Sequence, residues 1–369
     1  VAELMAPSAY QRNLELVLCV PPNLNRLYIG DPFRIRQVLI NLVNNALKFT
    51  PKGSIVLRVE CLKQHQDEPV SLLQICVEDT GIGIPADAQK NIFNKFSQAD
   101  ISTTRKYGGT GLGLSISQQL IDLMHGALYV ASEVGVGSCF AINLELEQSS
   151  ARQTAVKLDG CLRNRRIVIL DDHPESLQNI CRLLVAQGAQ VTTRTDNNGL
   201  ADLLMDALAA QPFDLIILDD ELGDKQGIEV AAQIRQVLKD QAPAMVLLRP
   251  MGATAHSVHF IEKAGLVAVA SKPARIRELN DLIAAVSSGN PNGQVYTSAD
   301  FKTQLHAAAA DHQPVRRVVL ADFPDALLIL MRAQVHHAGC EAIVLGENGT
   351  EDCTSIGAQV ELIFIYVPA

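Results

Sequence analysis

Residues 41–50 read NLVNNALKFT, and this stretch lines up polar side chains in a way that suggests a ligand site. Asn41, Asn45 and Lys48 follow one another at intervals of four and three residues, so they share one face of an α-helix. The apolar residues around them keep the same period, which predicts an amphipathic helix over Ile35–Leu47. Taken alone, such a polar face is more often a solvated surface than a binding site.

Two glycine-bearing motifs follow. Residues 79–83 (DTGIG) come directly after a predicted strand, where the carboxylate of Asp79 can accept a hydrogen bond from an adenine amino group. The glycines there let backbone approach a flat ring. Residues 108–114 (GGTGLGL) precede a predicted helix, and their amide groups suit a phosphate chain. The polar run between the motifs predicts a mobile lid that carries Arg105 and Lys106 toward the phosphates.

The first 148 residues otherwise alternate strands and helices. The acid-proline pair Asp31-Pro32 predicts the start of the first helix, through a capping carboxylate and a proline in the first turn. The other predicted elements are strands over Ile55–Cys61, Leu72–Glu78, Leu128–Ser132 and Ser138–Leu146, and a helix over Ser117–His125 that Gly126 ends.

In this order and spacing, NLVNNALKFT, DTGIG, the paired phenylalanines Phe93 and Phe96, GGTGLGL and GVGSCF (135–140) resemble the catalytic domain of sensor histidine kinases. The resemblance covers residues 1–148 and implies an α/β sandwich of the GHKL type that holds ATP between a lid and helices. It implies that Asn45 holds Mg²⁺ and that Asp79 reads adenine. The further implied nucleotide contacts are Asn41, Lys48, Gly81, Gly83, Arg105, Lys106, Gly109, Thr110, Gly111, Leu112 and Gly113.

One position separates this sequence from related ATPases. Gyrase, Hsp90-like and mismatch-repair ATPases resemble the same pattern, but they carry a glutamate four residues before the metal-binding asparagine. Asn41 stands there, and an amide cannot act as a general base at neutral pH. The resemblance therefore implies phosphoryl transfer to a protein, with Asn41 in the catalytic set, rather than hydrolysis of ATP by activated water.

The resemblance also implies partners. Such kinases phosphorylate a histidine in a dimerising helical hairpin, and none of the nine histidines stands in a matching HE-x-x-TP context. We therefore expect a chain that binds ATP without phosphorylating itself in cis, and a phosphohistidine on a hairpin elsewhere. A histidine phosphotransfer domain or a response regulator would receive the phosphoryl group downstream.

A second domain is predicted over residues 164–289, between linkers at 149–163 and 290–314. Five apolar runs alternate there with helix-length segments, which is typical of a doubly wound parallel sheet. Asp171 and Asp172 end the first run, Asp219 ends the third, and Lys272 follows the fifth. Because the carboxyl ends of parallel strands meet at one edge, we expect these groups to form a cation site beside a phosphoryl acceptor.

This pattern resembles a flavodoxin-like response regulator receiver. The resemblance implies that Asp219 accepts the phosphoryl group, that Lys272 pairs with it, and that Asp171, Asp172, Asp219 and the backbone carbonyl of Glu221 hold Mg²⁺. A loop glycine falls at Gly227. Receivers carry Thr or Ser at the end of the fourth strand, whereas this sequence offers Leu248 or Arg249, and Gly223 replaces the usual loop proline. A phosphorylatable receiver and a degenerate docking module both remain open.

Residues 315–369 repeat the opening of the second domain. The repeat predicts a truncated, degenerate receiver-like domain that ends after its third strand. Its alignment sets Ala321 against Asp171 and Tyr366 against Asp219, so we expect it to be catalytically silent.

Composition excludes several function classes. The chain has 369 residues, 48% of them hydrophobic, with 40 acidic against 31 basic side chains. No segment is basic, which argues against nucleic-acid binding. No apolar run reaches the ~18 residues of a membrane span, so we expect no direct membrane contact from this chain. Eight scattered cysteines indicate a reducing compartment. We expect the cytoplasmic part of a membrane-anchored bacterial sensor kinase, with a nucleotide-binding scaffold whose receivers only dock partners as the alternative.

Overall fold

The computed structural model describes residues 1–22, 24, 27–64, 70–94, 112–149, 162–254, 256–287, 296–297, 317–321, 341–345 and 360–365. The chain forms two compact units, Val1–Ser298 and Ala299–Ala369. Five of the expected nucleotide contacts lie outside the described residues: Arg105, Lys106, Gly109, Thr110 and Gly111. Phe96 and Tyr366 lie outside them as well.

The N-terminal half of the first unit is a six-stranded sheet with helices packed on one face. Its core side chains include Leu42, Ile55, Ile121 and Ile142, each fully buried. The strands are β1 (Leu14–Cys19), β2 (Tyr28–Ile29), β3 (Gly53–Gln64), β4 (Val70–Asp79), β5 (Ala127–Glu133) and β6 (Gly137–Gln148).

The order of the strands in this sheet is β1-β3-β4-β6-β2, with β5 also paired to β6. The β1–β3 pair is parallel and the other pairs are antiparallel. The helices are α1 (Ala2–Tyr10), α2 (Pro32–Phe49), α3 (Ala86–Gln89) and α4 (Gly113–Leu123).

The sequence predicts α2 well because its start and its period are both local signals. The Asp31 carboxylate accepts hydrogen bonds from the backbone N–H groups of Phe33 and Arg34, at 3.0 and 3.1 Å. The predicted cap is therefore confirmed, and the helix extends three residues before and two after the predicted range. Its apolar stripe, represented by Leu42 and Val43, is completely buried.

The predicted bounds of one helix in this domain are wrong, and two elements at its N-terminus were not predicted. Helix α4 begins at Gly113, four residues before the predicted Ser117, and ends at Leu123 instead of His125. A Cβ atom on Gly113 would lie 2.4 Å from Oδ1 of Asn41, so glycine is what lets the helix start against α2. Helix α1 and strand β1 were not predicted at all.

The C-terminal half of the first unit is a six-stranded sheet in which every described pairing is parallel. The strands are β7 (Arg166–Leu170), β8 (Gln190–Arg194), β9 (Leu215–Asp219), β12 (Ala244–Pro250), β13 (Leu266–Lys272) and β14 (Tyr296–Thr297), and a hairpin joins β10 (Glu221–Leu222) to β11 (Lys225–Gln226). The order of the strands in the sheet is β14-β13-β12-β9-β7-β8, and all five predicted apolar runs lie in these strands. The helices are α5 (Pro174–Val185), α6 (Leu200–Ala210), α7 (Gly227–Leu238), α8 (Val258–Lys263) and α9 (Ile276–Ser287). The expected doubly wound fold is confirmed.

The described part of the second unit is a three-stranded parallel sheet. Its strands are β15 (Arg317–Ala321), β16 (Glu341–Leu345) and β17 (Val360–Ile365), in the order β16-β15-β17. The first three strands of the preceding sheet have the same order, β8-β7-β9.

The cap of α2 gives a first testable prediction. Replacing Asp31 by Ala removes the acceptor for two backbone N–H groups and should lower the free energy of unfolding by about 1 kcal/mol. Urea denaturation followed by circular dichroism measures the change. Asp31→Asn keeps an acceptor oxygen and should stay close to the wild type. An equal loss in both variants would show that the capping bond is not what stabilises the helix.

Candidate functional sites

The first candidate site lies on α2, α4 and the end of β4. Asn41 donates a hydrogen bond from Nδ2 to the Ser117 hydroxyl, at 2.9 Å, and so ties α2 to α4. Asn45 is half-buried one turn further along α2. The Lys48 ammonium lies 4.7 Å from the centre of the Phe49 ring. The structure thus confirms one helical face for the three residues and shows that Asn41 also has a packing role.

Asp79 ends β4 beside this helix. Its Oδ1 accepts the Gly81 backbone N–H at 2.8 Å, and the Ile82 N–H bonds the Phe49 carbonyl at 3.2 Å, which ties the turn to the end of α2. Burial raises the pKa of Asp79, and hydrogen bonds from Gly81 and Ser138 oppose that shift. A partly buried carboxylate of this kind is suited to accept a directed hydrogen bond from a ligand.

The remaining described glycine of this turn has a different neighbour. Gly83 has a φ of +70°, and a Cβ atom there would lie 2.0 Å from the Glu133 carbonyl oxygen. Position 83 therefore requires glycine because the end of β5 passes too close to it for a side chain, independently of any contact with a nucleotide. Leu112 lies directly before α4 and Gly113 is its first residue, so both lie at the helix N-terminus as expected.

The second candidate site is a buried charge cluster at the carboxyl edge of the parallel sheet. The Lys272 ammonium lies 2.8 Å from Asp219 Oδ2, 3.2 Å from Asp171 Oδ2 and 2.8 Å from Glu15 Oε1. Asp171, Asp219 and Lys272 are at most 5% exposed. The three predicted residues meet because β7, β9 and β13 are parallel strands of one sheet. Glu15, from β1 of the other domain, was not predicted.

Hydrogen bonds fix the carboxylates of this cluster. Asp171 accepts from the Ser176 hydroxyl at 2.6 Å and from the His173 backbone N–H at 2.9 Å. The exposed Asp172 accepts from the Gly223 backbone N–H at 2.9 Å. The glycine that replaces the expected loop proline therefore supplies an N–H group that proline lacks.

The carboxylates also fit a divalent cation. Asp171, Asp172 and Asp219 each offer an oxygen, and these three atoms lie within 4.8 Å of one another. Oδ1 of Asp219 is buried and has no hydrogen-bond partner among the described residues. A buried carboxylate oxygen without a partner is costly unless a ligand completes it. Because Mg²⁺ prefers oxygen ligands of this kind, the residues present fit that ion.

Burial and the neighbouring charges together set the pKa values of Asp219 and Lys272. Burial is the main factor that raises the pKa of Asp219, assisted by Asp171 and Glu15 and opposed by Lys272. Burial lowers the pKa of Lys272, but Glu15, Asp219 and Asp171 together outweigh it and raise that pKa. Lys272 is therefore a cation at neutral pH.

A glycine and an unexpected ion pair lie next to Asp219. A Cβ atom on Gly227 would lie 2.0 Å from the Asp219 carbonyl oxygen, which explains glycine at the position that the resemblance singled out. Beyond β12, Arg249 Nε lies 3.2 Å from Asp220 Oδ2, and His256 Nε2 lies 3.1 Å from the same carboxylate. Leu248 is buried in the core. An Arg249–Asp220–His256 cluster thus lies at the end of β12, where the resemblance to receivers leads us to expect a hydroxyl residue.

The sheet of the first domain also brings together two thiols that are far apart in sequence. Cys76 and Cys139 lie on adjacent antiparallel strands, and their sulfur atoms lie within 4.8 Å of each other and of a carboxylate oxygen of Glu78. Arg58 already pairs with Glu78 at 3.0 Å. Two of the cysteines that are far apart in the sequence are therefore close together in the fold. Both are free thiols.

Comparison with known protein families assigns both domains. Residues 30–148 match the family of histidine kinase-, DNA gyrase B- and HSP90-like ATPases. Residues 167–284 match the response regulator receiver domain. These matches define the class: a GHKL-type ATPase domain followed by a receiver domain.

Similar proteins narrow the class further. The chain is 31% identical to the sensory/regulatory protein RpfC of Xanthomonas campestris over 345 residues, 84% of this chain and 46% of that protein. It is 42% identical to the sensor histidine kinase GacS of Pseudomonas protegens over 190 residues, 51% of this chain and 20% of that protein. The crystal structure of full-length ShkA in complex with AMPPNP shares 25% identity at a TM-score of 0.59, over 93% of this chain and 64% of that one. The chain is therefore an ATPase domain of this family followed by a receiver domain, its homologues are hybrid sensor histidine kinases, and it spans under half the length of these curated relatives.

No helix in the described part of the chain has both the length and the apolar character that crossing a membrane requires.

The charge cluster gives a second prediction. Lys272→Met leaves three carboxylates without their shared cation and should destabilise the receiver by about 3–5 kcal/mol at neutral pH. The variant should regain stability as the pH falls, because the folded state then binds more protons than the unfolded state.

Thermal denaturation of the chain between pH 5 and pH 8 measures this effect, without added Mg²⁺. Lys225→Met, which changes an exposed lysine at the same cleft, is the matched control and should show neither change. A Lys272→Met chain as stable as the wild type at neutral pH would contradict the description of the cluster.

Proposed function

We propose that this chain is the ATP-binding and receiver portion of a hybrid histidine kinase that works in a phosphorelay. The ATP-binding domain holds Mg-ATP and passes its γ-phosphoryl group to a histidine on a helical hairpin outside residues 1–369. Asp219 then accepts a phosphoryl group from phosphohistidine. The observation that supports the relay is the buried Asp219 carboxylate. One of its oxygens contacts Lys272, and the other has no hydrogen-bond partner among the described residues.

In the ATP-binding domain, the proposed roles of Asp79 and Asn45 rest on where their side chains lie. Asp79 is proposed to accept the adenine amino group, and Asn45 to hold Mg²⁺ on the polar face of α2. Mg²⁺ would supply charge neutralisation on the phosphates when bound. Lys48, Gly81, Gly83, Arg105, Lys106, Gly109, Thr110, Gly111, Leu112 and Gly113 complete the proposed nucleotide contacts. A full-length structural neighbour, ShkA, was determined in complex with AMPPNP, which supports a nucleotide at this site.

The proposed catalytic contribution of Asn41 is positional. Its amide cannot remove a proton from water, which favours transfer to a protein over hydrolysis. Its hydrogen bond to Ser117 holds the N-terminal half of α4 beside the polar face of α2. A helix N-terminus fixed in this way presents backbone N–H groups to the phosphate chain.

In the receiver, the proposed step is attack by a carboxylate oxygen of Asp219 on phosphorus. Lys272 would pair with the transferred group, and Asp171, Asp172, Asp219 and the Glu221 backbone carbonyl would hold Mg²⁺. The donor would be the phosphorylated hairpin of the kinase. A histidine phosphotransfer domain or a response regulator would act downstream.

A docking function for the receiver is the second candidate. The Arg249–Asp220–His256 cluster favours it, because a bonded ion pair replaces the hydroxyl residue that would report phosphorylation. The same reading suits residues 315–369, which we propose to be a truncated, silent receiver-like domain. Its support is the shared strand order and Ala321, which has no carboxylate at the end of β15.

We propose an ATP-binding domain at 1–148, linkers at 149–163 and 290–314, and receivers at 164–289 and 315–369. The relatives named as sensor kinases support a place in the cytoplasmic part of a membrane-anchored sensor kinase.

Nucleotide binding is the third prediction and tests the proposed activity. Asp79→Asn should weaken Mg-ATP binding by about tenfold or more, because a hydrogen bond to a charged acceptor contributes ~1.5–3 kcal/mol. Isothermal titration calorimetry of the whole chain measures the affinity. Asp87→Asn changes a carboxylate in the neighbouring α3 and should bind as the wild type does. A wild-type chain that binds no Mg-ATP would overturn the proposed function.

A further inference from the structure

The ATP-binding domain contacts the receiver on the face that holds the acceptor. Arg275 of the receiver pairs with Glu3 of α1, and Asn179 of α5 donates a hydrogen bond to the Leu18 carbonyl oxygen of β1 at 3.0 Å. Met251, beyond β12, packs on the hydrophobic core of the ATP-binding domain. Together with the Lys272–Glu15 ion pair, these contacts dock the two domains on each other within the first unit.

Among the described residues of the ATP-binding domain that contact the receiver, Glu15 is the one that contacts Lys272 beside Asp219. Its carboxylate lies 2.8 Å from the Lys272 ammonium, the same distance as that of Asp219. The Glu15 side chain is 18% exposed, and the Lys272 side chain is 6% exposed, so water screens the pair only weakly. A carboxylate from one domain thus completes the acceptor site of the other.

We propose that the ATP-binding domain, through Glu15, closes the receiver's acceptor site, so that docking of the two domains and phosphorylation of Asp219 exclude each other. This inference rests on the proposed role of Asp219 as acceptor and adds its regulation. In the docked state the receiver is withheld from its donor. A phosphoryl group on Asp219 expels Glu15 and releases the domain.

The number of N–H donors on the Lys272 ammonium group explains why docking and phosphorylation exclude each other. A lysine ammonium has three N–H donors, and here three carboxylates, those of Glu15, Asp171 and Asp219, lie within 3.2 Å of it. A phosphoryl oxygen on Asp219 needs one of those donors. Asp171 and Asp219 belong to the site itself, whereas Glu15 can leave with its domain. The negative charge of Glu15 also repels a phosphoryl group placed beside Asp219.

The space around the site admits a small phosphodonor but not a protein donor. A cavity of about 570 Å³ remains between the domains, and its walls include Tyr10, Glu15, Asp172, Asp219 and Lys272. A small phosphodonor fits in this volume. A protein that carries phosphohistidine must instead contact the receiver face that α1 and β1 cover. A small donor therefore measures the effect of Glu15 with little contribution from steric exclusion.

The test uses acetyl phosphate and Mg²⁺ with the whole chain. An Asp219 oxygen forms a bond to phosphorus, the bond from phosphorus to the acetate oxygen breaks, and acetate leaves with the electron pair. Intact-protein mass spectrometry follows the phosphorylated fraction over time. Glu15→Gln keeps the shape of the side chain and removes its charge, and phosphorylation should become about 5–150-fold faster.

Two further variants complete the design. Glu60→Gln removes an exposed charge from β3 of the same domain and should leave the rate unchanged. Asn179→Ala weakens docking without touching the pocket and should raise the rate by a smaller factor than Glu15→Gln. Equal rates in the wild type and Glu15→Gln would overturn the inference while leaving Asp219 an acceptor. No phosphorylation in any variant, matching Asp219→Asn, would overturn the proposed acceptor function itself.

Discussion

The ammonium group of Lys272 is the constraint on which the receiver and its neighbour both depend. Two carboxylates from the receiver and one from the ATP-binding domain contact it, and the ammonium group and the two receiver carboxylates are almost completely buried. Buried carboxylates this close are stable only with a shared cation, which Lys272 provides in the structure and Mg²⁺ would reinforce. The chemistry proposed for the receiver and the position of the ATP-binding domain therefore both depend on the charge of Lys272.

The sequence predicts those parts of the site that depend on one sheet or one helix. Asp171, Asp219 and Lys272 could be placed together because each ends an apolar run, and the ends of parallel strands meet. Helix α2 was predicted because a carboxylate cap, a proline and a regular apolar period all lie within eighteen residues. These signals are local, and local signals survive without knowledge of the tertiary structure.

Glu15 could not be predicted for the opposite reason. It lies on a six-residue edge strand that gave no recognised signal, and its partner Lys272 is 257 residues away. Nothing in the periodicity of either domain reports which surfaces meet. The start of α4 was predicted wrongly for the same reason, because the need for glycine at position 113 comes from the Asn41 side chain of another helix. Contacts between elements, rather than the elements themselves, limit what the sequence reveals.

The two receiver-like sheets differ in what they retain. The first keeps its three carboxylates and Lys272 but places an ion pair, Arg249 with Asp220, where a hydroxyl switch would lie. The second keeps the strand order but ends β15 in Ala321. A receiver with the proposed acceptor but without a hydroxyl switch would report phosphorylation in another way, and the proposed release of the docked domain through Lys272 is one that the geometry supports.

Hydrogen exchange with and without beryllofluoride, a stable mimic of the phosphoryl group, tests this coupling most directly. With Mg²⁺ and beryllofluoride bound at Asp219, as monitored by fluorine NMR, peptides that cover α1 and α5 should exchange faster as the two domains separate. Peptides from the core of α2 should be unchanged. Beryllofluoride bound at Asp219 with full protection of α1 and α5 would contradict the account.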